Sequence, residues 1–155
     1  MHIPGLRSPY AKVGGLVYFG RMLDKIRLHD AGKLPSDYNV GTDSWWDFDS
    51  RCTRFLGIKY NKLVKRVRQG GTDLALLKWC FKQGRKPTEE DFEIWNTFMQ
   101  KRGWNDGTSE SVQEGKEAAG LGDEDQIVTW FDLFDADERQ DSKQSKVIAR
   151  KKRRA

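Results

Sequence analysis

The side chains best suited to bind or catalyse gather between positions 18 and 54. Arg21, Lys25 and His29 recur at i, i+4 and i+8, so on a helix they stack along one face. Tyr18 falls beside them. Asp24 falls on the flank, where its carboxylate can hold an arginine in place. Arg51 and Arg54, on the next segment, are expected to join this face and close an anion pocket between helices. Arg27 lies at the border of the apolar stripe, where a guanidinium requires a carboxylate, either Asp30 or a more distant acid. This set reads in two ways. It is a basic face that is solvated or paired internally, or it recognises a small anionic ligand or an acidic partner surface. An enzymatic version has Arg21, Lys25, Arg51 and Arg54 clamping an anionic substrate, with Asp24 or His29 as general acid/base. A deep pocket with Asp24 and His29 within hydrogen-bond reach of each other favours that version; a flat or filled first-helix surface favours a binding module.

Other chemical signals are thinner. Cys52 stands between Arg51 and Arg54, and neighbouring cations favour a thiolate, which makes it the better candidate for a reactive thiol. Cys80, in Leu-Leu-Lys-Trp-Cys-Phe, reads as core. With no Cys-x-x-Cys and two histidines, a structural zinc site is not expected, and no motif implies a cofactor. Gly15 and Gly20 have the glycine spacing of a phosphate loop, but Arg21-Met22 follows instead of Lys-Ser/Thr. Gly120-Leu121-Gly122 lacks the third glycine of a dinucleotide site. Asp132, Asp135 and Asp137 lack EF-hand spacing and read as an acidic helix end. Trp79, Trp95 and Trp130 sit on helical stripes and read as core. Trp45-Trp46, in a loop-like Asp-Ser-Trp-Trp-Asp-Phe-Asp run, either lids a pocket, anchors a partner or packs over the first helix, the last being the plainer reading.

The elements that must position these groups are helices. Leu16, Phe19, Leu23 and Ile26 predict a helix over about 12–31, stopped by Gly32 and Pro35. Leu16 to Phe19 could also pass for a buried strand, but the longer stripe favours helix. Short helices are expected over about 48–56 and 59–69, the second ended by Gly70-Gly71. Thr72 or Asp73 caps the next, with Leu74, Leu77, Cys80 and Phe81 facing inward and Gly84 at its end. Thr88-Glu89-Glu90-Asp91 fits a capping-box variant ahead of Phe92, Trp95, Phe98 and Met99. Residues 108–119 have helix-forming composition with almost no apolar face. Gly122 and Asp123 are read as opening a last helix with Ile127, Trp130, Phe131 and Phe134. The expectation is an all-α fold: a compact single domain of five to seven helices over residues 1–142, with a basic, disordered tail over 143–155.

The 155 residues carry a net charge of +5, but that figure hides segregation. Residues 1–87 hold 17 Lys+Arg against 7 Asp+Glu, residues 88–142 hold 4 against 16, and residues 143–155 hold 7 against none. Basic and acidic parts can attract each other within one chain or between two. No run is apolar and long enough to span a membrane, and the start has no apolar signal core, so a cytoplasmic protein is expected.

Several words of this sequence occur together and in order: Ile-Pro-Gly-Leu-Arg-Ser-Pro near the start, Gly14-Gly15-Leu16-Val17, Arg21-Met22-Leu23-Asp24-Lys25-Ile26-Arg27, and Ala31-Gly32-Lys33-Leu34. They continue through Phe55-Leu56-Gly57-Ile58, Gly70-Gly71-Thr72-Asp73, Leu77-Lys78-Trp79 and Glu93-Ile94-Trp95-Asn96. Over roughly residues 3–137 the chain resembles a bacterial family catalogued only as a domain of unknown function. The resemblance implies a small, soluble, cytoplasmic, helical protein and brings no established activity. The basic tail is not part of it.

The preferred expectation is a helical binding or interaction module. The tail offers a separate route, nonspecific binding of nucleic acid through its cations, although it holds no aromatic residue for base stacking. If the tail carries such binding, a 1–142 truncation loses its affinity for a short RNA, measured by fluorescence anisotropy. Equal binding by the truncated chain ends that reading.

Overall fold

A computed structural model describes residues 2–41 and 44–139, so the tail and its expected disorder lie outside the described residues. Among the described residues there are seven helices and one two-stranded hairpin, an all-α fold apart from that hairpin. The chain divides into two compact units. One is Gly5–Thr97; the other holds residues 2–4 and 98–139.

The first unit opens with β1 (Lys12–Val13) and β2 (Leu16–Val17), paired antiparallel. The expected helix over 12–31 therefore starts later, at α1 (Phe19–Asp30). The cause is Gly14-Gly15: both have positive φ (54° and 86°), which turns the chain between Val13 and Leu16. The backbone of β2 is then satisfied from α5 (Glu89–Lys101). Asn96 accepts from the Val17 N–H at 3.1 Å and donates to the Gly15 carbonyl at 2.8 Å, while Trp95 Nε1 donates to the Val17 carbonyl at 3.2 Å. One Trp-Asn pair thus does for β2 what a third strand would do.

From Phe19 to Ile26 every residue of α1 is buried. Phe19, Met22, Leu23 and Ile26 supply its apolar contacts, each contributing about 1.5–3 kcal/mol by burial. α2 (Phe48–Leu56), α3 (Tyr60–Arg68) and α4 (Asp73–Gln83) follow; α3 packs on α1, on α2 and on α4, and short turns join α2 to α3 and α3 to α4. Thr72 caps α4 by accepting from the Ala75 N–H. Its inward residues are Leu76, Leu77 and Cys80; Leu74, expected inside, is exposed, because Leu76 takes the buried position in its place. The capping box of α5 forms as expected: Thr88 Oγ1 accepts from the Asp91 N–H, and Asp91 accepts from the Thr88 N–H.

The unit is tied across its elements by two arginines and two aspartates. Arg7 donates to Asp24 through its backbone N–H (3.1 Å), Nε (2.7 Å) and Nη2 (2.8 Å), and Nη2 also reaches Asp73 at 2.7 Å. Arg27 Nη2 meets the other Asp73 oxygen at 2.7 Å, and its Nη1 lies 3.5 Å from Asp24. The extended lead-in, α1 and the start of α4 are so joined by four charges that cancel. Gly20 makes room: a Cβ there would come within 2.7 Å of Arg7 Nη1. The hydrogen bonds to Asp24, and then those to Asp73, push the Arg7 pKa up, against its burial. Burial alone lifts the Asp73 carboxyl, but the hydrogen bonds from Arg27 and Arg7 outweigh it and hold the group below the ordinary range.

The second unit contains α6 (Ser109–Ala118) and α7, a helix over residues 130–139. α6 is largely exposed, as its composition suggests, and buries Val112 and Lys116. α7 starts later than expected, since residues 121–129 are turns; Leu121 and Ile127 fold back from them to pack with Leu133. Asp106 organises the turn before α6. It accepts from the Gly103 N–H at 2.8 Å and from the backbone N–H and hydroxyl of Thr108 at 2.8 and 2.9 Å.

Two tests follow from these packings. Gly84 abuts the end of α2 so closely that a Cβ would lie 2.0 Å from the Leu56 carbonyl oxygen, the acceptor of the Arg85 N–H. Gly84→Ala is expected to destabilise by about 2–3 kcal/mol, read as a lower urea midpoint at unchanged slope. Asp73→Asn is expected to cost about 1–3 kcal/mol at pH 7. Because the folded Asp73 pKa lies below its unfolded value, the stabilisation is complete above about pH 4 and is lost as pH falls through the folded value. The variant should lack that part of the acid limb between pH 2 and 5. Parallel stability profiles for the two proteins over that range would refute the assignment.

Candidate functional site

The seven cationic and acidic candidates do not assemble into one pocket. Arg21, Asp24 and Lys25 are buried, Arg27 is half-buried, and His29 is exposed on the last turn of α1. Asp24 is engaged by Arg7 and Arg27, so it does hold an arginine, but the leading one comes from the N-terminal lead-in. Arg27 takes Asp73, not Asp30; Asp30 instead pairs with Arg68 at 2.9 Å. Arg21 donates through Nη1 to the Arg7 carbonyl at 3.1 Å. No hydrogen bond among the described residues joins Asp24 to His29.

Lys25 belongs to a buried polar cluster. Its Nζ donates to the Asp49 carboxylate at 2.9 Å and to the Asn39 carbonyl at 2.8 Å. The Tyr18 hydroxyl donates to Asp49 Oδ1 at 2.8 Å, and the Gly41 N–H points to Oδ2 at 3.4 Å. Tyr18 adopts φ +72° at the start of α1, a conformation that costs a non-glycine residue about 1–3 kcal/mol and is retained only where its surroundings demand it. Here the demand is visible: that backbone aims the ring between α1 and α2, edge-on to Phe48 at 5.5 Å, with its hydroxyl on Asp49. Lys25 therefore fixes the 39–41 segment onto α1 and α2 and leaves no charge over for a ligand. Cys52 lies in the same interior. Burial and then Asp49 push its thiol pKa well up, so the better of the two thiol candidates is buried and held toward its protonated form.

Arg51 and Arg54 do not join α1. Arg51 Nε donates to the Trp46 carbonyl at 3.2 Å, and Arg54 Nη2 donates to the Trp45 carbonyl at 2.5 Å. The two tryptophans do not pack over the first helix as the plainer reading had it; they are 70% and 56% exposed. α2 begins at Phe48, one residue after them with Asp47 at its N-cap, so their carbonyls lie within reach of arginines one and two turns into the helix.

Each tryptophan borders an open cleft. The first, of about 710 Å³, is lined by Trp45, Ser50, Arg54, Lys59, Tyr60 and Asn61 together with Gly41, Thr53 and Ile58. No carboxylate stands among its described lining residues, and Arg54 and Lys59 are both exposed. It opens at the start of α3, where Lys59 occupies the N-cap position, makes no capping bond and is followed by no acid in the first turn. That helix end is electropositive from its dipole as well as from Lys59. The Tyr60 hydroxyl is buried and has no hydrogen-bond partner of ordinary geometry among the described residues. Burial, then Asp49 and Asp30, push its pKa up, against a lowering contribution from the Gly41 backbone. The second cleft, of about 640 Å³, is lined by His29, Tyr38, Asn39, Trp46 and Asp47 among others, and so mixes an acid with its histidine.

Of the seven charged candidates, only Arg54 lines the first cleft and only His29 the second; Trp45 and Trp46, for which a lid was one reading, border one each. Lys59, Tyr60 and Asn61 were missed. The available signal was a lysine at a position where helices favour Ser, Thr, Asp or Asn. Among the described residues, no three of His, Cys, Asp and Glu converge as a metal site. No described helix is long and apolar enough to cross a membrane.

The family described as Domain of unknown function (DUF5069) matches residues 3–140. No curated protein matches the chain. The match covers both units as described and takes in α1, the arginine–aspartate network and the first cleft, so the chain belongs to the DUF5069 family.

Proposed function

We propose that this protein is a binding module that takes a small anionic ligand in the cleft at the start of α3, with Arg54 and Lys59 as its charge contacts. The observation that carries the reading is the difference between two sets of cations. Lys25 and Arg27 are matched by carboxylates inside the fold, whereas Arg54 and Lys59 border open space with no described acid among them. Among the described residues Arg54 bonds a neutral carbonyl at Trp45 and meets no acid. An uncapped helix start adds amide N–H groups aimed along the helix axis, the arrangement that suits phosphate, sulfate or carboxylate. Lys25, Asp49 and Tyr18 then act as supports, holding the 39–41 rim of the cleft in place.

The test is a thermal-shift titration of the full chain with inorganic phosphate, sulfate and simple carboxylates. A ligand near 100 times its dissociation constant adds about 2.7 kcal/mol, a shift of several degrees for a chain of this size. The shift should shrink with added salt and be lost in Arg54→Ala and Lys59→Ala, while His29→Ala keeps it. If no anion raises the melting temperature, or if the double variant responds like the parent, the reading fails.

A further inference from the structure

We infer that the ligand of this cleft joins its anionic group to a flat aromatic ring, as a nucleoside monophosphate does. The inference rests on the anion reading above and names the class of molecule. The observation behind it is Trp45. An indole that is 70% exposed is normally free to move or is folded away against apolar neighbours. Trp45 is neither. Arg54 holds its carbonyl, and the Arg51 guanidinium sits over its ring at 5.5 Å from the centroid. Its backbone is thus tied to α2 and a cation lies over its ring, while most of the indole surface stays open to water beside Arg54 and Lys59.

An exposed ring on an anchored backbone, beside a pair of cations, is the combination that binds the two halves of a nucleotide separately. The ring offers a sequence-tolerant stacking surface, and the cations take the phosphate. Asn61 lines the same cleft and offers a donor and an acceptor together, the pairing that a base edge can use. The cleft volume of about 710 Å³ falls within the usual range for small-molecule sites. A bare anion would use Arg54 and Lys59 and leave Trp45 without a role.

The experiment is isothermal titration of the full chain with AMP, GMP, CMP and UMP, each compared with ribose 5-phosphate, adenosine and inorganic phosphate. At least one nucleotide should bind about tenfold or more tightly than ribose 5-phosphate, as stacking on an aromatic side chain provides. Trp45→Ala should bring that nucleotide down to the ribose 5-phosphate level, and Trp45→Phe should retain part of the preference. Near-UV circular dichroism confirms that both variants are folded. Equal binding of all nucleotides and ribose 5-phosphate overturns the inference and leaves the anion reading standing, as does a preference that survives Trp45→Ala. Adenosine binding as tightly as AMP overturns it too, since the charge then contributes nothing. If no phosphate-bearing molecule binds, the inference fails, and the anion reading is then decided separately by the sulfate and carboxylate titrations.

Discussion

Three charged side chains, Arg21, Asp24 and Lys25, are carried into the interior by α1, and much of the Gly5–Thr97 unit is arranged to answer them. A buried charge without a partner costs several kcal/mol, so each needs a group fixed within hydrogen-bond distance before the helix can be enclosed. Asp24 is answered by Arg7 from the lead-in, which brings its own carbonyl to Arg21. Lys25 is answered by Asp49 on α2 and by the Asn39 carbonyl. The same demand brings in Asp73 at the start of α4, because Arg7 and Arg27 together carry more charge than Asp24 can balance. Three segments distant in sequence are thereby brought to one helix by electrostatics as much as by apolar contact.

The apolar contacts are built on the same helix. Phe19, Met22, Leu23 and Ile26 alternate with the charged residues around α1, so neither side of it faces water over its first two turns. The hairpin ahead of it depends on Gly14-Gly15 for its turn and on Trp95-Asn96 for its hydrogen bonds. Tyr18, between hairpin and helix, takes an unfavourable backbone conformation, and its hydroxyl reaches Asp49. Strain at that position is offset by a buried hydrogen bond and by ring packing against Phe48.

Charge matching inside the unit also explains which cations remain for other work. The basic character of residues 1–87 looks uniform in sequence, yet Arg7, Lys25 and Arg27 are used up by aspartates, and Arg68 by Asp30. Arg54 and Lys59 stand at the α2–α3 turn, where the chain supplies no described acid to meet them. The arginines of α2 also bond the backbone carbonyls of the two tryptophans that precede it. A cleft with exposed rings and cations that no described acid meets thus arises from a helix start and a turn, while the most conspicuous charge cluster of the sequence goes to the core.

The sequence by itself determined what depends on neighbours along the chain. Apolar periodicity gave the helices over 48–56 and 59–69, and the caps at Thr72 and Thr88 were readable because a capping side chain bonds an amide three residues away. Where local signals competed, they misled: the stripe through Leu16 and Phe19 hid a turn at Gly14-Gly15, and one turn of α4 offered Leu74 and Leu76 as equals. Only the tertiary structure decided the pairing of charges, because a carboxylate accepts any guanidinium that the fold brings within 3 Å and sequence distance carries no information about which one arrives. Arg7 and Asp24 are 17 residues apart, and Arg27 and Asp73 are 46 apart. The burial of Cys52, the exposure of Trp45 and the cleft beside Lys59 were settled the same way, by which surfaces α1 to α4 cover when they pack.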